Sequence, residues 1–235
     1  MLARRIFLAG ILAGLVAGAF VTVVQAVKIW PLIAAAEVYE KAGETAAAAH
    51  AGHDHGAGPM AAEWEPADGA ERIVFTLLAN ILVATGFGLL LSAGFALRDA
   101  YGGVRVDARS GFFWGMAGFA AFQLAPSFGL APEPPGAIAA DLLSRQGWWV
   151  ATAVATAGGI ALIVFAQRPV WKFVGVAAIT APHIIGAPLP EQVGGSAPPE
   201  LAAQFVAASL VTAALFWLVL GSFGGWLYGR LARAD

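Results

Sequence analysis

Ile73-Val74-Phe75-Thr76-Leu77-Leu78-Ala79-Asn80-Ile81-Leu82-Val83-Ala84-Thr85-Gly86-Phe87-Gly88-Leu89-Leu90-Leu91-Ser92-Ala93-Gly94-Phe95-Ala96-Leu97 holds no charged side chain. A helix that crosses the hydrocarbon core of a bilayer needs about 20 mostly apolar residues, and this run is long enough. Working outward, five more windows read the same way: Ile6–Val27, Gly111–Leu130, Gly147–Ala166, Val170–Gly186 and Leu201–Leu227. The window at Val170–Gly186 is short and is interrupted by Pro182 and His183, so a re-entrant segment is its alternative. The expected fold is an all-α, polytopic membrane domain over residues 1–235 with about six transmembrane helices.

Composition agrees. Hydrophobic residues make up 59% of the 235 and charged residues 12%, with a mean hydropathy of +0.74; soluble domains carry about 25% charged residues. A water-facing surface could not absorb so much apolar area without becoming adhesive, whereas lipid can. Small residues, including 29 Gly, let membrane helices approach closely where lipid supplies no hydrophobic drive between them. The Trp residues fall mainly near window ends, which suits interfacial anchoring. With no Cys in the chain, disulfides and soft thiolate metal sites are excluded.

Charge orients the windows. With the N-terminus inside, the inner segments hold Arg4, Arg5, Arg98, Arg105, Arg109, Arg168, Lys172, Arg230 and Arg233, nine of the 13 basic residues. Lys28, Lys41, Arg72 and Arg145 fall outside. Of the 15 acidic residues only Asp99, Asp107 and Asp235 lie inside. The positive-inside bias thus favours six helices with both termini cytoplasmic. The start Arg4-Arg5-Ile6-Phe7-Leu8 resembles a twin-arginine export signal, and Val24-Gln25-Ala26 resembles a cleavage site. The apolar run from Ile6 to Val24 exceeds the ~7–15 residues of a signal core, so retention of this first helix is expected.

The segment from Lys28 to Arg72 reads as the one long outer loop. Its centre, Ala46–Ala62, is nearly all Ala, Gly and His and reads as flexible. The other loops read as short joins between neighbours. A weak internal repeat pairs Ala125-Pro126-Ser127-Phe128-Gly129-Leu130-Ala131-Pro132 with Ala181-Pro182-His183-Ile184-Ile185-Gly186-Ala187-Pro188, and Trp30-Pro31 ends the first window in a similar place. Even-numbered windows open with an acid and then a basic or amide residue: Asp68/Arg72, Asp141/Arg145 and Glu200/Gln204. Three helical hairpins in parallel repetition would produce this pattern; the common placement of Pro after helix ends is its simpler cause.

Chemistry concentrates in two places. Three of the four His lie within six residues, as His50, His53 and His55, with Asp54 between them. Imidazole plus carboxylate suits borderline divalent cations, and flexible surroundings suit loose capture. Glu37, Glu40, Glu44, Glu63, Glu65 and Asp68 would concentrate cations around them. A solvated loop whose His arise by composition is the alternative. The fourth, His183, follows Pro182, which removes a backbone donor; broken helices often line ion paths. Asn80, Gln123 and Gln204 interrupt apolar windows at a similar outer depth to His183. Together the four suggest an outward-facing vestibule, against interhelical hydrogen bonding as the simpler role.

Several functions lose support. There is no G-x-x-x-x-G-K-[ST] loop, no H-E-x-x-H and no G-x-S-x-G elbow, so no ATPase, zincin or serine hydrolase is indicated. No basic, aromatic-rich face invites nucleic acid. An enzyme is not expected.

The ordered set Met1-Leu2-Ala3-Arg4-Arg5, Trp64-Glu65-Pro66-Ala67-Asp68-Gly69, Phe75-Thr76-Leu77-Leu78-Ala79-Asn80, Trp114-Gly115, Ala117-Gly118-Phe119-Ala120, Gln123-Leu124-Ala125-Pro126, Arg145-Gln146, Trp149, Pro182-His183-Ile184-Ile185-Gly186-Ala187-Pro188 and Ala203-Gln204-Phe205-Val206 resembles the bacterial CbtA family of predicted cobalt transporter subunits. The resemblance spans nearly the whole chain. It implies cobalt uptake for cobalamin synthesis and a small single-helix membrane partner, CbtB, with its own His. The residues alone reach only a divalent cation. The expectation is therefore a permease subunit surrounded by lipid that binds no permanent cofactor and carries cobalt as cargo. A homo-oligomer is left open. A transporter of nickel or another transition metal and a non-transporting scaffold subunit are the alternatives.

Overall fold

The computed structural model describes residues 2–50, 66–67, 69–102, 105–192 and 194–234. The regular elements among them are helices: α1 (Leu2–Lys28), α2 (Trp30–His50), α3 (Ala70–Gly102), α4 (Ala108–Phe119), a π turn (Ala120–Leu124), α5 (Ala125–Ser127), α6 (Leu142–Phe165), α7 (Pro169–Ile185) and α8 (Pro199–Ala234). By length and composition, α1, α3, α6 and α8 can each cross a membrane, and α7 is a shorter apolar helix. The third sequence window is helical from Ala108 to Ser127 but is broken by the π turn. All six windows therefore fall on helices, four of them long and apolar enough to span unaided.

Helix starts follow local chemistry. Asp107 caps α4: its Oδ1 accepts from the Ser110 amide at 2.8 Å, while its own amide donates to Ser110 Oγ at 2.8 Å. This reciprocal pair satisfies two otherwise orphaned donors. Asp141 caps α6 by accepting from the Ser144 amide at 2.9 Å. Pro169 and Pro199 open α7 and α8, where a missing N–H costs nothing.

Glycine lets the helices meet. Gly10, Gly14 and Gly18 form one stripe on α1, and the stripe lies on Leu89, Thr85 and Ile81 of α3. A methyl group at Gly10 would stand 2.8 Å from Leu89 Cα, and one at Gly18 would stand 2.7 Å from Ile81 Cα. The same device joins α4 to α8, where a methyl at Gly221 would come 2.6 Å from Gly115 Cα. It recurs between α6 and α7, where Gly159 and Gly175 each face the other's carbonyl. α8 packs on both α1 and α4. It carries the central aromatic Trp217, which is fully buried and stacks on Phe122 with ring centroids 5.6 Å apart.

Three expectations need correction. The segment after Lys28 does not begin as a loop. The first helix does end just ahead of Trp30-Pro31, at Lys28, but the chain restarts at once: Ile33 N donates to Ile29 O at 2.9 Å and α2 runs on to His50. Pro31 at the first turn is compatible with that restart, and Ala, unlike Gly, is the strongest helix former, so Ala46–Ala49 continues the helix. The loops at 128–141 and 186–198 do more than join neighbours. Ile138 N donates to Gly194 O and Ser196 N to Gly136 O, each at 3.0 Å, so the two loops pair as one cap. Trp217, which lies in mid-window and away from the window ends, is a core residue. Finally, neighbouring windows do not all pair as hairpins: α1 packs on α3, but α7 packs on α6 and makes no packing contact with α8. The Ala-Pro repeat is visible locally, since Leu130 N donates to Pro126 O at 2.8 Å and Gly186 N to Pro182 O at 3.0 Å.

Candidate functional site

A cavity of about 440 Å³ opens at the end of the bundle where α1 finishes and α3 and α8 begin. Its polar lining comes from Gln25, Asn80, Gln123, Glu133, Ser209 and Thr212. Its apolar lining includes Val21, Phe87 and Phe216, the positions farthest along their helices from the mouth. Below Phe87 the rings close ranks: Phe87 lies 4.7 Å from Trp217 and 5.0 Å from Phe122 between centroids, and Phe216 lies 5.6 Å from Trp217. The cavity is thus polar near its mouth and shut at its floor by an aromatic cluster.

Asn80 is positioned from α1. Its Nδ2 donates to Thr22 Oγ1 at 2.9 Å and to Gln25 Oε1 at 2.7 Å, and Thr22 Oγ1 in turn donates to Gly18 O at 2.8 Å. Both Asn80 amide hydrogens are used, and its Oδ1 takes no hydrogen bond among the described residues. Interhelical bonds of this kind contribute about 0.6–1.7 kcal/mol each. The bonding role and the lining role therefore coexist in one side chain.

Gln123 owes its place to the π turn. Pro126 has no N–H to offer the carbonyl four residues back, and the chain relaxes into a wider turn in which Ala125 N donates to Ala120 O. Such single-turn bulges re-aim side chains and recur at functional sites. Ser127 Oγ donates to the Gln123 carbonyl at 2.5 Å, which satisfies a backbone oxygen near the break.

Glu133 supplies the cavity's one carboxylate among the described residues. Arg145, on the first turn of α6, holds it through Nη2–Oε2 at 2.7 Å. Arg72 does the same for Glu37 on α2, also at 2.7 Å. The two arginines singled out by the acid/base spacing thus reach back to a glutamate of the preceding segment. Asp141 is occupied as the α6 cap, and hydrogen bonds from the Ser144 amide and hydroxyl hold its carboxyl below the ordinary range.

The remaining expected site residues lie elsewhere. Gln204 is exposed and His183 is half-buried, and neither lines the cavity. His183 meets Trp148 and Phe128 edge-on, with centroids 5.9 and 6.1 Å apart, and Trp148 Nε1 donates to Pro182 O at 3.2 Å. Of the four residues expected at one vestibule, Asn80 and Gln123 line this cavity and Gln204 and His183 do not. Similar depth does not put residues on the same side of a bundle. His53, Asp54 and His55 lie outside the described residues. His50 closes the backbone of α2, and no group of three or more metal-binding side chains occurs among the described residues. Gln25, Glu133, Ser209 and Thr212 were missed from sequence. Gln25 carried a usable signal, an amide at the outer end of an apolar window like Asn80.

No curated protein and no solved structure matches the chain. A family model described as probable cobalt transporter subunit (CbtA) matches residues 3–229, which takes in all the helices that build the cavity. With nearly its full length matched, the chain belongs to the CbtA family of probable cobalt transporter subunits.

Proposed function

We propose that the chain is the permease subunit of an inner-membrane importer, that Co²⁺ is its cargo, and that the 440 Å³ cavity is the outer half of the route. The observation that carries this reading is the convergence of Asn80, Gln25, Gln123 and Glu133 on one cavity within an apolar bundle. Polar groups inside membrane helices are rare and mark ion paths. The donor set is amide oxygen, hydroxyl and a single carboxylate. Such a set holds a hydrated divalent cation weakly, as a path must if the ion is to leave again. It does not select cobalt, and the choice of metal rests on the family description.

The reading has six spans and both termini in the cytoplasm, supported by the basic asymmetry of the sequence. α1 is retained in it, because Ala9, Ala13 and Ala17 are fully buried against α3 and α8 and cleavage would bare those faces. His50, His53, Asp54 and His55 gather scarce metal outside the bilayer, and the membrane potential, about 2.3 kcal/mol per charge per 100 mV, draws it inward. The aromatic floor of Phe87, Phe122, Phe216 and Trp217 is the closed gate. A single-helix subunit of the CbtB type completes the importer, and the imported cobalt serves cobalamin synthesis.

The test is cobalt accumulation in cells without their own cobalt uptake, expressing this chain with and without the single-helix partner. Accumulation that needs this chain supports the reading. Equal accumulation without it, or none with both subunits present in the membrane, overturns it.

A further inference from the structure

A second pocket, of about 510 Å³, lies at the opposite end of the bundle from the cavity, between the start of α1, the end of α3 and the end of α8. Among the described residues Arg5, Arg105 and Arg233 line it, with Asp99 as the one acid. The lining therefore carries three positive charges against one negative. Arg105 and Arg233 make no ion pair among the described residues. At the back stands Tyr228. The residue is 1% exposed, and its hydroxyl lies beside the Arg5 guanidinium without a hydrogen bond of good geometry.

Each observation asks for an anion. A buried hydroxyl whose one neighbour is poorly placed is left short of the solvation it gave up, and an acceptor in the pocket would restore it. Arginines left unpaired beside it offer planar donor forks that fit phosphate oxygens. Basic pockets between membrane helices commonly take lipid headgroups. We propose that this pocket binds a phosphate group, with the guanidinium groups of Arg105 and Arg233 as its charge partners and the Tyr228 hydroxyl as a neutral donor at its base. The phosphate belongs either to an anionic phospholipid headgroup or to a soluble phosphate, which the same chemistry would bind.

The test uses the purified full chain, delipidated in a neutral detergent. One arm measures retention of phosphatidylglycerol against phosphatidylcholine by native mass spectrometry. The other measures the melting shift produced by inorganic phosphate or pyrophosphate. The variants are Tyr228→Phe and the pair Arg105→Gln with Arg233→Gln. One hydrogen bond to a charged group corresponds to about tenfold in affinity, so Tyr228→Phe should weaken binding by about that factor. It should leave the unliganded melting temperature close to wild type, since the hydroxyl makes no well-placed bond with its neighbour Arg5. The double arginine variant should abolish the preference. Selective retention of phosphatidylglycerol that these variants reduce assigns the site to a lipid headgroup. A phosphate shift that they reduce, with no lipid preference, assigns it to a soluble anion. Equal retention of both lipids with no phosphate shift, or binding untouched by the variants, overturns the proposal.

Discussion

Asn80 on α3 gives an amide hydrogen to Gln25 on α1 across 2.7 Å. Both residues line the cavity, and the bond ties together the two helices that form one of its walls. It sits at the outer end of the glycine stripe of α1, where Gly18 brings the two backbones close enough for short amide side chains to meet. Small-residue packing and a polar lining are thus parts of one arrangement: the first sets the spacing and the second uses it.

Glu133 is the only carboxylate at the cavity among the described residues, and Arg145 restrains it. Glu133→Gln should raise the cobalt concentration for half-maximal uptake by roughly 3- to 10-fold while leaving the maximal rate near wild type. That is the signature of binding lost equally in ground and transition states. Arg145→Gln should do the opposite to affinity, because it frees the carboxylate from its competitor. Uptake rates measured over a range of cobalt concentrations check both. An unchanged half-saturation in Glu133→Gln removes that residue from the route.

Neighbouring glycines of α6 should respond in opposite ways. Nothing lies within 4 Å of a methyl group placed at Gly158, whereas at Gly159 it would meet Gly175 O at 2.6 Å. Gly158→Ala should be neutral or should stabilise by up to about 1 kcal/mol through helix propensity. Gly159→Ala should destabilise by about 1–3 kcal/mol through overpacking. Thermal melts of the two purified variants measure the difference. Equal effects would mean that α6 and α7 do not pack as described.

The α6 cap gives a pH signature. The Ser144 amide, and then its hydroxyl, bind the Asp141 carboxylate and lower its pKa from 3.8. The folded state therefore binds this proton more weakly than the unfolded state. The stabilisation is complete above the ordinary pKa and is lost as pH falls through the lowered folded value. The melting-temperature gap between wild type and Asp141→Ala should be constant from pH 8 to pH 5 and should close below about pH 4. A gap that persists at pH 2 contradicts a charged cap.

The helices were legible because apolar runs without charge have few other solutions, whereas the caps at Asp107 and Asp141 were not read from their Asp-x-x-Ser spacing. Two of the eventual lining residues, Asn80 and Gln123, stood out as polar groups in apolar windows. Gln204 and His183 shared their depth but not their side of the bundle, and depth is all that window position reports. Glu133 was hidden because the sequence gives no hint that its loop folds over a cavity; that fold depends on pairing with residues 194–196, far along the chain. The π turn was hidden for a similar reason. Pro126 marks a break, but only the packed bundle decides whether the chain kinks, frays or widens. α2 was missed because Ala and Gly were read together as flexible, although their helix propensities are opposite.

The central claim is that metal passes through the cavity lined by Asn80 and Gln123. The most direct measurement is initial cobalt uptake at saturating metal in Gln123→Leu, with Gln204→Leu and His183→Ala assayed at equal membrane abundance. Gln123→Leu should lose most of the maximal rate, roughly tenfold or more, since a transition-state loss of 1.4 kcal/mol is tenfold. The other two should stay within about twofold of wild type. Normal uptake by Gln123→Leu, together with loss in His183→Ala or Gln204→Leu, would contradict the account and move the route to the Trp148 side of the bundle.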